Sequence, residues 1–74
     1  MSASVSFSAV VKMLENCAKG HTVRMATHCR VIHYNGKVYR GFPKQDEIEV
    51  GHIRKLIRNL EINKDCAKSH LQIF

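Results

Sequence analysis

The stretch M-A-T-H-C-R-V-I-H-Y-N-G-K-V-Y-R-G-F-P, from Met25 to Pro43, decides how this chain folds. At its centre Asn35-Gly36 separates two β-prone runs. A type I′ turn needs φ > 0 at both central residues, a conformation that Asn tolerates and that costs Gly nothing. The arms, Thr27–Tyr34 and Lys37–Phe42, are rich in Val, Ile, Tyr and Thr, as strands prefer. Pro43 cannot donate to a ladder and closes the second arm. A two-residue loop fixes the register, so Tyr34 should face Lys37, His33 face Val38, Ile32 face Tyr39 and Val31 face Arg40.

Working outward, His21–Met25 reads as a further extended run, and the whole span to Tyr34 is too long for one strand. A break near Ala26-Thr27 turns it into a three-stranded antiparallel meander. Along the middle strand Cys29, Val31 and His33 alternate with His28, Arg30, Ile32 and Tyr34. Both faces are mixed. Placing Cys29 and Val31 inward leaves His28 and Arg30 together in solvent, and that is the expectation.

On either side lie helices. Phe7, Val10, Val11, Leu14 and Ala18 recur with helical spacing between a capping Ser6 or Ser4 and Gly20. Val50, Ile53, Leu56, Ile57 and Leu60 do the same, opposite a polar face on which Arg54 and Arg58 are one turn apart. Asn63 offers a cap for a short tail helix, Lys64–His70. Met1–Val5 is expected to fray, Leu71–Phe74 either docks or hangs loose, and Asp46–Glu49 reads as a solvated acidic loop. The whole of residues 1–74 is then one α+β domain with an ordered core at about 6–62 and a helical tail at 63–74. Its helices form a two-layer sandwich with the sheet, in the order α-β-β-β-α.

Twelve Lys and Arg against six Asp and Glu give a net charge of +6 in 74 residues, a balance that points to a polyanionic partner. So short a chain buries only about 60% of its unfolded surface, so its core is marginal. Cys17, Cys29 and Cys66 form an odd set without a C-x-x-C pair, which argues against a disulfide framework and for a reducing, cytoplasmic setting. No signal-like leader and no apolar run of about 18 residues is present, so no membrane role is expected.

His28 is the sharpest chemical candidate. A histidine in the open near neutral pH can take the proton from a ribose 2′-OH, which then attacks the adjacent phosphorus. Arg30, Lys37, Arg40 and Lys44 would hold phosphates around it, with Arg54 and Arg58 as further RNA contacts. The plain alternative makes His28 one polar residue among five histidines. Neither Cys17 with His21 nor His28 with Cys29 has zinc-ligand spacing, so no metal and no cofactor is expected. A thiol at Cys29 facing the core would be inert.

The segment E-I-E-V-G-H-I-R-K-L-I-R-N-L-E-I, Glu47–Ile62, resembles the run E-I-(K)-P-G-T-L-R-K-I-L-K-Q-A-G-I of the HicA toxin family of small mRNA interferases. Gly51, Ile53, Arg54, Lys55 and Ile62 stand in the matching places, and Val11–Glu15 is similar to that family's K-L-L-E-like run. The resemblance extends over Val10–Ser69. The family's Gly-Ser-His-His signature falls on Ala26-Thr27-His28-Cys29, with the histidine regarded as catalytic on His28. The resemblance implies a fold like double-stranded-RNA-binding domains, metal-free cleavage of mRNA, and neutralisation by a HicB-like antitoxin. A non-catalytic nucleic-acid-binding or protein-interaction module of the same fold is the alternative.

Overall fold

The computed structural model describes residues 4–71. Its elements in chain order are β1 (Ser4–Ser6), α1 (Phe7–Cys17), β2 (Thr22–Met25), β3 (Arg30–Tyr34), β4 (Lys37–Phe42), β5 (Glu47–Glu49), α2 (Val50–Leu60) and α3 (Lys64–His70). β2, β3 and β4 form a three-stranded antiparallel sheet, and β1 pairs with β5 in a separate two-stranded one. The architecture is α+β. Among the described residues no helix is long and apolar enough to cross a membrane.

The hairpin forms as the turn chemistry dictates. Asn35 and Gly36 take φ of 52° and 76°, and Tyr34, His33 and Ile32 face Lys37, Val38 and Tyr39. The fourth expected pair fails. Between Ile32–Tyr39 and Arg30–Phe42 the register shifts, so Arg40 and Gly41 together oppose Val31. Gly41 takes the φ of +86° that such a bulge favours. In a regular strand Phe42 and Tyr39 would point to opposite faces. The extra residue brings both inward, where their rings meet edge-on at 6.1 Å.

The inward face of β3 is the other one from that expected. Ile32 is fully buried and Tyr34 packs on the same core, while Val31, 7% exposed, lies on the opposite face and outside that cluster. Arg30 follows Ile32 inward and is 8% exposed. Its Nη1 donates to the Pro43 and Gln45 carbonyls at 2.7 and 3.0 Å, and its guanidinium carbon lies 3.5 Å from the Phe7 ring centroid. An arginine can be buried there because both Nη1 hydrogens have acceptors and its flat face has an aromatic partner.

Both long helices bury most of the stripes read from the sequence; Phe7, Val11 and Val50 are only half-buried, and Met13 joins the buried face of α1 unforeseen. Val10, Met13 and Leu14 of α1 and Ile53, Leu56, Ile57 and Leu60 of α2 are at most 2% exposed. Ser6 Oγ caps α1, accepting from Ala9 N at 3.3 Å. The acidic segment is no loop: Glu47–Glu49 pairs with Ser4–Ser6, and Ile48 is fully buried. Ser4 and Val5 are therefore strand rather than frayed chain. Met1–Ala3 and Gln72–Phe74 lie outside the described residues.

Glu61 ends α2 in the left-handed region (φ 54°), where glycine is the usual choice. Its N–H donates to the Arg58 carbonyl and that of Ile62 to the Ile57 carbonyl, a Schellman closure that reverses the chain and buries Ile62. Asn63 Oδ1 then accepts from Cys66 N at 2.9 Å and starts α3. The reversal lays α3 against α1, with Ala67 and Leu71 buried. It also joins Cys17 to Cys66 in a disulfide, Cα atoms 5.7 Å apart, although the odd cysteine set argued against a disulfide framework. Cys29 alone remains a free thiol, half-buried.

Candidate nucleic-acid interface

The β2–β3 connection is a tight reversal closed by Ala26 N donating to the Cys29 carbonyl at 2.8 Å. Thr27 and His28 form its tip. His28 is thus exposed on a loop, not on a strand face, and among the described residues no hydrogen bond orients its ring. Lys44 Nζ donates to the Thr27 carbonyl at 3.1 Å, placing one ammonium on the residue beside His28.

The other expected phosphate ligands do not gather at this tip. Arg30 is inside, its Nη1 donating to the Pro43 and Gln45 carbonyls. Lys37 stands at the far end of β3, about 13 Å of strand away, and pairs with Glu61 at 2.8 Å. That ammonium, by hydrogen bond and charge, holds the exposed Glu61 carboxyl below its usual pKa. Arg40 is exposed on the sheet face away from the helices. In the register it and Arg24 flank Val31 from β4 and β2.

Cations do converge elsewhere. A surface groove of about 400 Å³ between α2 and α3 is lined by Arg54, Ile57, Arg58, Lys64 and Lys68. The sequence places Arg54 and Arg58 one turn apart on α2, and Lys64 and Lys68 stand likewise on α3. The Glu61 reversal turns these two pairs toward one groove, with the aliphatic side of Ile57 among them. Among the described residues no carboxylate lines it. Sequence reasoning found Arg54 and Arg58 and missed Lys64 and Lys68, whose i, i+4 spacing behind the Asn63 cap was the available signal. A larger depression of about 510 Å³, near the start of α1, has Lys12 against Glu15 and Asp46 in its lining and no such bias.

A multivalent anion, above all a run of phosphodiesters, fits the α2–α3 groove. Arg54, Arg58, Lys64 and Lys68 are all exposed, so a polyanion can reach them from solvent. A scan against protein-family models and searches among curated proteins and solved structures each found no match to this chain.

Proposed function

We propose that this chain is a small RNA-binding protein that holds phosphates in the α2–α3 groove. The observation carrying this reading is the convergence of Arg54, Arg58, Lys64 and Lys68 on one groove. The HicA-like order of elements makes RNA, mRNA in particular, the polyanion of choice, in the cytoplasm. The same basic groove would suit an acidic partner protein such as a HicB-like antitoxin.

A salt series on a fluorescent single-stranded RNA tests this. Four phosphate contacts give a slope of log affinity against log salt of about −2.8, and each contact removed takes away about 0.7. Arg58→Ala with Lys64→Ala is expected to flatten the slope by about 1.4, whereas Arg40→Ala leaves it unchanged. An unaltered slope in the double variant would dismiss the groove. Equal affinity and slope for duplex DNA would remove the preference for RNA.

Cleavage by His28 is a second reading, favoured by the exposed tip it shares with the Lys44 ammonium. A neutral imidazole would remove the 2′-OH proton, the oxygen would attack phosphorus, and the 5′-oxygen would leave with a proton from solvent. Lys44 would face the charge growing on the phosphate. His28→Ala is expected to cut the cleavage rate by about 10²–10⁴ in the presence of a chelator, with binding unchanged. Equal rates for the two proteins would rule out that role.

A further inference from the structure

The groove occupies one side of α3; the other side carries Cys66 and His70, again one helical turn apart. Cys17, the last residue of α1, faces them. The two sulfurs and a ring nitrogen of His70 all lie within 4.8 Å of one another. The disulfide accounts for the sulfurs, but it does not call for an imidazole. Of the five histidines in the chain, His70 is the one that joins two thiols among the described residues.

We propose that Cys17, Cys66 and His70 form a zinc site in the reduced protein. Two thiolates and a neutral imidazole are the donors that a d¹⁰ cation of intermediate softness prefers. Ligand atoms around one tetrahedral zinc are about 3.3–3.8 Å apart, given metal–ligand lengths of about 2.0–2.3 Å. In the observed cluster no two of these atoms are more than 4.8 Å apart, about 1 Å beyond that spacing. Two ligands come from one turn of α3 and the third from α1, so metal binding would hold the same two helices that the disulfide holds. His70 is exposed, so the cluster is reachable from solvent on that side.

The two states exclude each other. A dithiol supplies two electrons and two protons; the Cys17–Cys66 bond breaks, and the dithiol becomes a disulfide. Zinc then displaces the two thiol protons and coordinates both sulfurs. Reoxidation by a small-molecule disulfide passes two electrons from the thiolates to that disulfide, which takes up two protons from solvent and leaves as two thiols; the Cys17–Cys66 bond is restored and the cation is expelled. The pair is therefore a redox-gated metal site.

The test titrates cobalt(II), as a spectroscopic stand-in for zinc, into the full chain reduced with a water-soluble phosphine. The expected result is one cobalt per chain, with thiolate-to-metal charge-transfer bands and the strong visible bands of a tetrahedral ion, none of which the oxidised protein shows. His70→Ala keeps both cysteines and should weaken binding by at least about tenfold. Zinc should raise the unfolding midpoint of the reduced protein, or restore its helical circular dichroism if reduction unfolds it, and do so less in His70→Ala. Unchanged affinity in His70→Ala would overturn the proposal. So would cobalt binding by the reduced protein no tighter than by a Cys17→Ser, Cys66→Ser double variant.

Discussion

Cys66→Ser is expected to lower the free energy of unfolding by about 4 kcal/mol, measured in urea without metal and without reductant. The disulfide spans a sequence separation of 49 residues. Closing a loop of that length in the unfolded chain removes about 14 cal/mol/K of entropy, which is about 4 kcal/mol at room temperature. Serine nearly matches cysteine in size at this half-buried position, so lost packing adds little. A chain of 74 residues has a total stability of only about 4–11 kcal/mol. The one substitution therefore takes away at least a third of the whole. The slope of stability against urea should rise as well, because an uncrosslinked unfolded chain exposes more surface. Reduced wild-type protein should unfold like the variant. A difference below about 1 kcal/mol would mean that the bond does not constrain the unfolded ensemble.

This dependence on one covalent link explains what could be read in advance and what could not. Local chemistry was legible. Asn35-Gly36 selects its turn, the stripes on α1 and α2 follow helical spacing, and Asn63 marks the start of α3. Long-range pairing was not. Cys17 meets Cys66 only because Glu61 adopts a left-handed conformation that its residue type does not advertise. The same reversal assembles the basic groove, so Lys64 and Lys68 join Arg54 and Arg58 only in three dimensions. The bulge is an intermediate case. A lone glycine inside a β-prone run, Gly41, is a recognised sign of one, and reading it so would have predicted Phe42 inward. β1 and β5 were hidden because each is three residues long and polar at both ends.

Arg30 is the residue whose reading changes most, and it sets the second large effect. Arg30→Met is expected to cost about 2–3 kcal/mol of stability. Methionine retains most of the aliphatic stem but leaves the Pro43 and Gln45 carbonyls without their donor and the Phe7 face without its cation. A hydrogen bond from a charged group contributes about 1.5–3 kcal/mol and a desolvated cation–π contact up to about 2. Removing the buried charge also lifts a desolvation penalty, which pulls the net effect below the sum. Arg30→Lys should fall between methionine and wild type, since an ammonium can donate to a carbonyl but cannot lie flat on a ring. Arg40→Ala, on the open sheet face, should stay within about 0.5 kcal/mol. RNA affinity of folded Arg30→Lys should match wild type, because the side chain is 8% exposed, gives both Nη1 hydrogens to carbonyls and lies flat on a phenyl ring. A variant at Arg30 that keeps full stability and loses RNA affinity would return this guanidinium to the surface and its role to the ligand.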